Sequence, residues 1–298
     1  MKALFSLLAL FIISSNVWGA LNWAGPQYID VVYKNADGSD LLLDIYLPTE
    51  AATSSVPVAI YSHGGGWASG TKSNIEFGHK ATVALELLHA GVAVVSVDYR
   101  LAIDGVLIQD CVVDTMDACR FMTKHASTYN IDPNRMLSFG DSAGGHIALM
   151  VALAANTDAN FAGDSGLAAY NGYTMKGCVS WYGPVSFMTD DDAFWNDGGR
   201  NPRSFDARVF GSETDTAVQD AMRQVVSPIA YYTVDSPPIY MVHGDMDTTI
   251  PHYHSLGLDA YAISVGNTTC SYQIVNYAEH NFTEATTDPV VPIAPTAS

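Results

Sequence analysis

The sequence predicts an α/β fold: a doubly wound, mainly parallel sheet with an N-terminal antiparallel hairpin and a small cap insertion. Three observations lead there. Short apolar runs at 56–62 (VPVAIYS), 92–97 (VAVVSV), 136–139, 177–182 (GCVSWY), 238–242 (PIYMV) and 271–277 are largely continuous rather than alternating, as in strands covered on both faces. Helix-period segments at 74–90, 105–129 and 252–265 fall between them, the first and last closed by Gly91 and Gly266, which implies parallel strands joined by crossover helices. Residues 28–47 (YIDVVYKNADGSDLLLDIYL) instead form two alternating runs around Asn35-Ala36-Asp37-Gly38, a hairpin signal with Asp-Gly as its turn.

The length of 298 residues fits one large domain with an ample core. Residues 1–19 (MKALFSLLALFIISSNVWG) read as a secretory signal, with a basic Lys2, an apolar centre and a small residue at the cut, so a secreted or periplasmic location is expected. A net charge of −18, from 13 basic and 31 acidic residues, opposes nucleic acid, anionic membrane surfaces and polyanionic substrates, and favours neutral ones. Cys111, Cys119, Cys178 and Cys270 lack zinc-like spacing and read as buried thiols. No His, Asp and Glu group has metal-ligand spacing, so neither metal nor cofactor is expected. His252 and His254 read as a surface pair, and Asp190-Asp191-Asp192 as a solvated acidic loop. Residues 183–237 separate two strands without a strand of their own and contain Phe194 and Trp195; an insertion of that length suggests a cap over a site. The tail from residue 288 reads as a loose end.

The chemistry centres on residues 135–150 (RMLSFGDSAGGHIALM). A strand-like run meets Gly140-Asp141-Ser142-Ala143-Gly144 and passes at once into a helix, the context in which Gly-x-Ser-x-Gly forms a sharp elbow that exposes a serine hydroxyl. Such a hydroxyl needs a base, the base needs a carboxylate behind it, and the developing oxyanion needs fixed N–H donors. Residues at the carboxyl ends of parallel strands share one crevice. Ser142 follows one strand, the run His243-Gly244-Asp245-Met246-Asp247 with its two candidate acids follows the next to last, and His280 follows the last. The order Ser, Asp, His is the one this elbow requires. His63 and His243 close strands and read as loop braces.

These blocks resemble the α/β-hydrolase superfamily over nearly the whole chain after the leader. The resemblance rests on Tyr46-Leu47-Pro48, His63-Gly64-Gly65-Gly66-Trp67, Gly70-Thr71-Lys72, Asp98-Tyr99-Arg100, Asp132-Pro133-Asn134-Arg135, Gly140 to Gly145, Ser227-Pro228, the His243 to Asp247 run with Ile250-Pro251, and His280. Within the superfamily the chain looks most similar to secreted esterases related to bifunctional feruloyl and acetyl-xylan esterases. It begins with a hairpin rather than the helical cap of the hormone-sensitive-lipase relatives. The resemblance implies Ser142 as nucleophile, His280 as base and Asp247, at the fifth position of His-Gly-x-x-Asp, as acid, which leaves Asp245 as a turn or hydrogen-bonding residue. It implies an oxyanion hole from the N–H groups of Gly64, Gly65 and Ala143. Trp67 is expected to border the acyl pocket; Tyr182, Phe194 and Trp195 are candidate walls, with core packing an equal alternative. The implied substrate is a small-molecule or polysaccharide-linked ester. Amide hydrolases of the kynurenine formamidase or peptidase type and lipases share several blocks; a non-catalytic binding member would lack a triad residue, and none is missing. Two glycosylation sequons stand at Asn267 and Asn281.

Overall fold

A computed structural model describes residues 25–154, 158–188, 192–195 and 202–282. The expected leader at 1–19, Asp190, Asp191 and the tail from 288 lie outside these. The alternating segment folds as the hairpin β1 (Tyr28–Ala36) and β2 (Ser39–Tyr46), turned at Asp37 and Gly38, whose φ values of 54° and 85° suit an Asp-Gly turn. The apolar runs become β3 (Val56–Ser62), β4 (Ala93–Val97), β5 (Ile131–Asp141), β6 (Met175–Trp181), β7 (Ile239–Gly244) and β8 (Cys270–Val275). They form one eight-stranded sheet in the order β1-β2-β4-β3-β5-β6-β7-β8, antiparallel through β1, β2 and β4 and parallel from β4 onward. The carboxyl ends of β3, β5, β6, β7 and β8 therefore open on one edge.

Side chains alternate between two cores. Val58 and Ile60 of β3 join one, with α2 (Ile108–Lys124), α3 (Ala143–Leu153) and α5 (Tyr253–Ser264); Ala59 and Tyr61 join the other, with α1 (Gly78–His89). Helix α3 is buried from Ala143 to Val151, so its AGGHIALMV sequence is apolar all round because it is wedged between the sheet and its neighbours.

Two predicted helices are shorter than the periodicity suggests. Segment 74–90 divides into a 3-10 turn, Lys72–Glu76, and α1, because Phe77 is extended and Gly78 has φ 64°. Segment 105–129 starts only at Ile108, where the Asp110 carboxylate accepts the Leu107 N–H at 2.8 Å, and breaks at His125. The Asp132 to Arg135 block is a bulge inside β5: register shifts between Val56 and Val58, and Arg135 bonds Asp132 at 2.7 Å and the Ser55 carbonyl at 2.7 Å.

The other blocks of the resemblance brace the loop after β3. Lys72 Nζ pairs with Asp44 at 2.9 Å and Asp30 at 2.7 Å, and its N–H reaches the Asp98 carboxylate at 2.6 Å. The Tyr99 hydroxyl donates to the His63 carbonyl at 2.7 Å, and the Tyr99 and His63 rings stack. Arg100 and Lys34 converge on Asp114, fully buried in α2, at 2.8 and 2.7 Å, fixing the hairpin to the sheet's flank. Removing one partner from a buried pair of this kind costs about 3–5 kcal/mol.

The described parts of 183–237 pack against the core. The described parts include a turn at Asp192–Trp195, the 3-10 turn Pro202–Phe205 and α4 (Thr216–Val225). Phe194 and Trp195 are buried: Phe194 stacks on His254, and the Trp195 N–H donates to the Ser186 carbonyl at 3.1 Å. His254 is thus an interior residue, its Nδ1 accepting the Val185 N–H at 3.1 Å, and not the surface residue that the sequence suggests. All four cysteines are buried and free. Asn267 is also buried, its amide donating to the carbonyls of Thr233, Val234 and Ser236, so this sequon is tied into a loop.

Helix α3 approaches β3 so closely that a methyl group on Gly144 would collide with the Ser62 carbonyl oxygen. Gly144→Ala should therefore destabilise the protein by about 1–3 kcal/mol or more, as overpacking does. Urea unfolding midpoints of the two proteins check this.

Candidate active site

Ser142 leaves β5 with φ 54° and ψ −120°, a region closed to most side chains. It is held there from both sides. Its N–H donates to the Trp181 carbonyl at 2.8 Å, and its own carbonyl accepts the His146 N–H at 3.0 Å as α3 begins. A non-glycine residue in such a conformation costs of order 1–3 kcal/mol and persists only where its surroundings impose it. Trp67 (φ 60°), Tyr182 (φ 42°), Tyr277 (φ 59°), Asn281 (φ 66°) and Phe282 (φ 57°) stand on neighbouring loops of the same edge.

His280 Nε2 lies 2.9 Å from Ser142 Oγ, and its Nδ1 lies 2.7 Å from Asp247 Oδ2. A carboxylate only accepts, so Nδ1 carries the proton and Nε2 offers its lone pair to the serine hydroxyl. Asp247 is buried, and its Oδ1 accepts the N–H groups of Thr249 and Ile250 at 2.8 Å each. Burial works to raise its pKa, but hydrogen bonds from His243 and His280 outweigh that and hold the carboxyl well below the usual carboxylate range. The three residues that the sequence nominates from separate strands thus form one hydrogen-bonded line.

His243 is the member that pattern reading leaves as a brace. Fully buried, it places Nε2 3.3 Å from Asp247 Oδ2 and 2.8 Å from the Ile250 carbonyl, while Nδ1 sits 2.9 Å from Ser255 Oγ. Two acceptors at Nε2 put a proton there, so His243 clamps the carboxylate. The signal was the pairing of His243 and Asp247 across a turn, four residues apart. Asp245 holds the same loop differently, accepting the Tyr277 N–H at 2.6 Å.

The glycine loop after β3 departs from expectation at its first residue. The Gly64 N–H is already donated to Asp141 Oδ1 at 3.2 Å and is not presented to a substrate. Gly65 adopts φ 121°, out of reach of an L side chain, with Gly66 next at 61°. Neither their N–H groups nor that of Ala143 has an acceptor among the described residues, which leaves Gly65, Gly66 and Ala143 as the free donors beside Ser142.

Trp67 and Tyr182 are not pocket walls. Trp67 is 1 % exposed, with its ring against His146, Phe187 and Phe205. Its N–H donates to His146 Nδ1 at 3.2 Å, so His146 carries its proton on Nε2 and passes it to the Val226 carbonyl at 2.7 Å. This run joins the glycine loop, α3 and the insertion. Tyr182, also buried, lies beneath the His280 ring with centroids 4.6 Å apart and touches Phe282 and His79. Its hydroxyl stands 3.3 Å from His79 Nε2. In both residues a positive φ turns the ring inward.

No group of three or more His, Cys, Asp or Glu among the described residues could hold a metal ion, and no described helix is long and apolar enough to cross a membrane. A cavity of about 430 Å³ lined by Lys176, Asp235, Pro237 and Asn267 sits at the opposite end of the parallel strands from Ser142.

Comparison with known proteins adds a family. The BD-FAE family model matches residues 43–261. A non-reducing polyketide synthase, stbA of Stachybotrys bisbyi, is 31% identical over 180 residues, covering 58% of this chain and 7% of the synthase. The probable carboxylic ester hydrolase LipM of Mycobacterium tuberculosis is 27% identical over 243 residues, covering 80% of this chain and 53% of LipM. The chain therefore spans a small fraction of the synthase and about half of the hydrolase. Among solved structures, the apo form of Thermogutta terrifontis esterase 2 superposes with a TM-score of 0.67 at 24% identity, over 87% of this chain and 86% of that one, a likeness of fold.

Burial holds the His146 pKa down to about 4, against about 6.5 for a free imidazole. Between those values the unfolded chain takes up a proton that the folded chain refuses, so stability is lost as pH falls from 6.5 toward 4. The shift corresponds to about 3 kcal/mol at its acid limit. A His146→Gln variant should lose less stability than the parent over that window, measured by urea midpoints at pH 7 and 4.5.

Proposed function

This chain belongs to the BD-FAE family, and we propose that it is a serine carboxylesterase working through Ser142, His280 and Asp247. What carries the proposal is the unbroken hydrogen-bonded line from Ser142 through His280 to Asp247, at 2.9 and 2.7 Å, beginning at a strained elbow.

In the proposed reaction His280 Nε2 takes the Ser142 proton as Oγ bonds to the ester carbonyl carbon. The carbonyl π electrons move onto oxygen, which accepts hydrogen bonds from the N–H groups of Gly65 and Ala143, with Gly66 adjoining. Preorganised donors of this kind are the largest single contribution in many acyl transfers. Asp247 stabilises the imidazolium without taking its proton. Collapse of the tetrahedral species breaks the bond to the alcohol oxygen, which leaves with the proton from His280. Water, deprotonated by the same nitrogen, then attacks the acyl-enzyme and releases the acid and Ser142.

The proposed substrates are esters of short acyl or aromatic acids, acetyl or feruloyl groups on plant polysaccharide among them. The family match supports this, and the net charge of −18 favours neutral substrates over anionic ones. Export follows from the leader at 1–19 and is part of the proposal, to be read from the distribution of the full chain between cells and medium.

Ser142→Ala should abolish p-nitrophenyl acetate hydrolysis and fluorophosphonate labelling while keeping the parent's urea midpoint; a variant with retained activity would overturn the assignment. Rates on methyl ferulate and acetylated xylan, beside N-formylkynurenine and dipeptide anilides, decide the substrate. Faster turnover of the amides would displace the ester reading.

A further inference from the structure

The proposed machinery leaves one buried charge without a role. Asp141 directly precedes the nucleophile and is 3 % exposed. An anion so close to a developing oxyanion opposes the charge that the reaction must build, so its presence calls for a reason. Its partners supply one. Oδ1 accepts the Tyr61 hydroxyl at 2.7 Å and the Gly64 N–H at 3.2 Å, and Oδ2 faces Lys80 Nζ at 3.5 Å. Burial and the Asp141 carboxylate hold the Tyr61 pKa well above its ordinary value, so that hydroxyl remains a donor.

The location gives these bonds their meaning. The ladder between β3 and β5 ends at the pair Ser62 and Gly140. Beyond it one chain turns into the elbow and the other into the glycine loop. The Asp141 to Gly64 bond is a cross-link past the end of the ladder, and it joins the residue before Gly65 to the residue two before Ala143. Gly64 is a glycine for the same reason: a Cβ there would stand 2.7 Å from Asp141 Oδ2 and 2.9 Å from the Asp141 carbonyl oxygen. Tyr61, Gly64 and Lys80 supply donors and positive charge around the carboxylate, limiting its repulsion of the oxyanion.

Building on the esterase reading, we infer that Asp141 is a positioning residue: its carboxylate fixes the separation of the two arms of the oxyanion hole, Gly65 N–H and Ala143 N–H. It touches neither substrate nor His280, and it acts through Gly64.

Thionoesters provide the discriminating readout, because sulfur is larger and a weaker hydrogen-bond acceptor than oxygen and profits less from well-placed donors. The experiment compares kcat, KM and the ester-to-thionoester rate ratio for the parent, Asp141→Asn, Asp141→Ala and Gly64→Ala. Asparagine keeps an oxygen for Tyr61 and Gly64 and should stay within about tenfold of the parent in kcat with the rate ratio kept. Alanine should lower kcat by up to about 10²-fold, the loss seen when an oxyanion donor is removed, with KM changed only a few-fold and the rate ratio reduced. Gly64→Ala, which displaces the carboxylate without removing it, should reduce the ratio too and gives the answer if Asp141→Ala does not fold. Parental kcat in Asp141→Ala, or a fall in kcat with the ratio intact in the folded variants, overturns the inference and leaves the esterase standing. A parent chain that hydrolyses neither ester and resists fluorophosphonate removes the esterase reading itself.

Discussion

One backbone conformation organises this molecule: Ser142 at φ 54°, pinned between the Trp181 carbonyl and the first turn of α3. A serine does not hold that geometry by its own preference. It is imposed by a helix packed against the sheet closely enough that Gly140, Gly144 and Gly145 have no room for a Cβ. The small residues around the nucleophile therefore act through what they omit. Helix α3 can approach β3 and β5, the chain must turn sharply to enter it, and the hydroxyl is left standing at the carboxyl edge. The remaining site residues come from the other strands that end on that edge.

The fold and the hydrogen-bonded line of Ser142, His280 and Asp247 were legible in the sequence because both follow from order and periodicity. Continuous apolar runs gave β3 to β8, the Asp-Gly turn gave the hairpin, and Ser142, Asp247 and His280 each fall just beyond a strand. What stayed hidden depends on direction rather than position. Trp67 and Tyr182 follow strands in the same way, yet positive φ values of 60° and 42° turn them into the interior, where one clamps His146 and the other underlies His280. No residue pattern announces that inversion. Gly64 was misread for a related reason: a glycine run shows where donors are, but not which of them the protein has already engaged. His254 illustrates the same limit at the surface, since the aromatic pair that buries it lies some sixty residues away in the chain.

Charge is unevenly distributed between inside and outside. Lys34, Lys72, Lys80, Arg100, Arg120 and Arg223 all face carboxylates in ion pairs, and the side chains of Asp44, Asp114, Asp117 and Asp141 among those partners are nearly or wholly buried. The chain has only 13 basic residues, so nearly half of them are engaged in these pairs. Among the described residues, the buried carboxylates of Asp44, Asp114, Asp117 and Asp141 thus each have a cation beside them. Surface composition can then follow the surrounding medium without disturbing the charges that hold the hairpin, α2 and the glycine loop in place.

The loops after β7 and β8 are joined by more than the bond between Asp247 and His280. Met246 donates its N–H to the Ala278 carbonyl at 3.1 Å, Asp245 donates to the Val275 carbonyl at 3.1 Å, and the Asp245 carboxylate takes the Tyr277 N–H at 2.6 Å. The loops that carry Asp247 and His280 are thus tied to each other by the backbone as well as by their side chains, and Ser142 with the glycine loop stands across the 2.9 Å contact from Ser142 to His280. Laboratory redesign of this scaffold can accordingly treat the loops after β7 and β8 as one unit: a substitution in either that breaks these bonds bears on Asp247 and His280 together, whereas Tyr182, beneath the His280 ring, lies between that unit and the elbow.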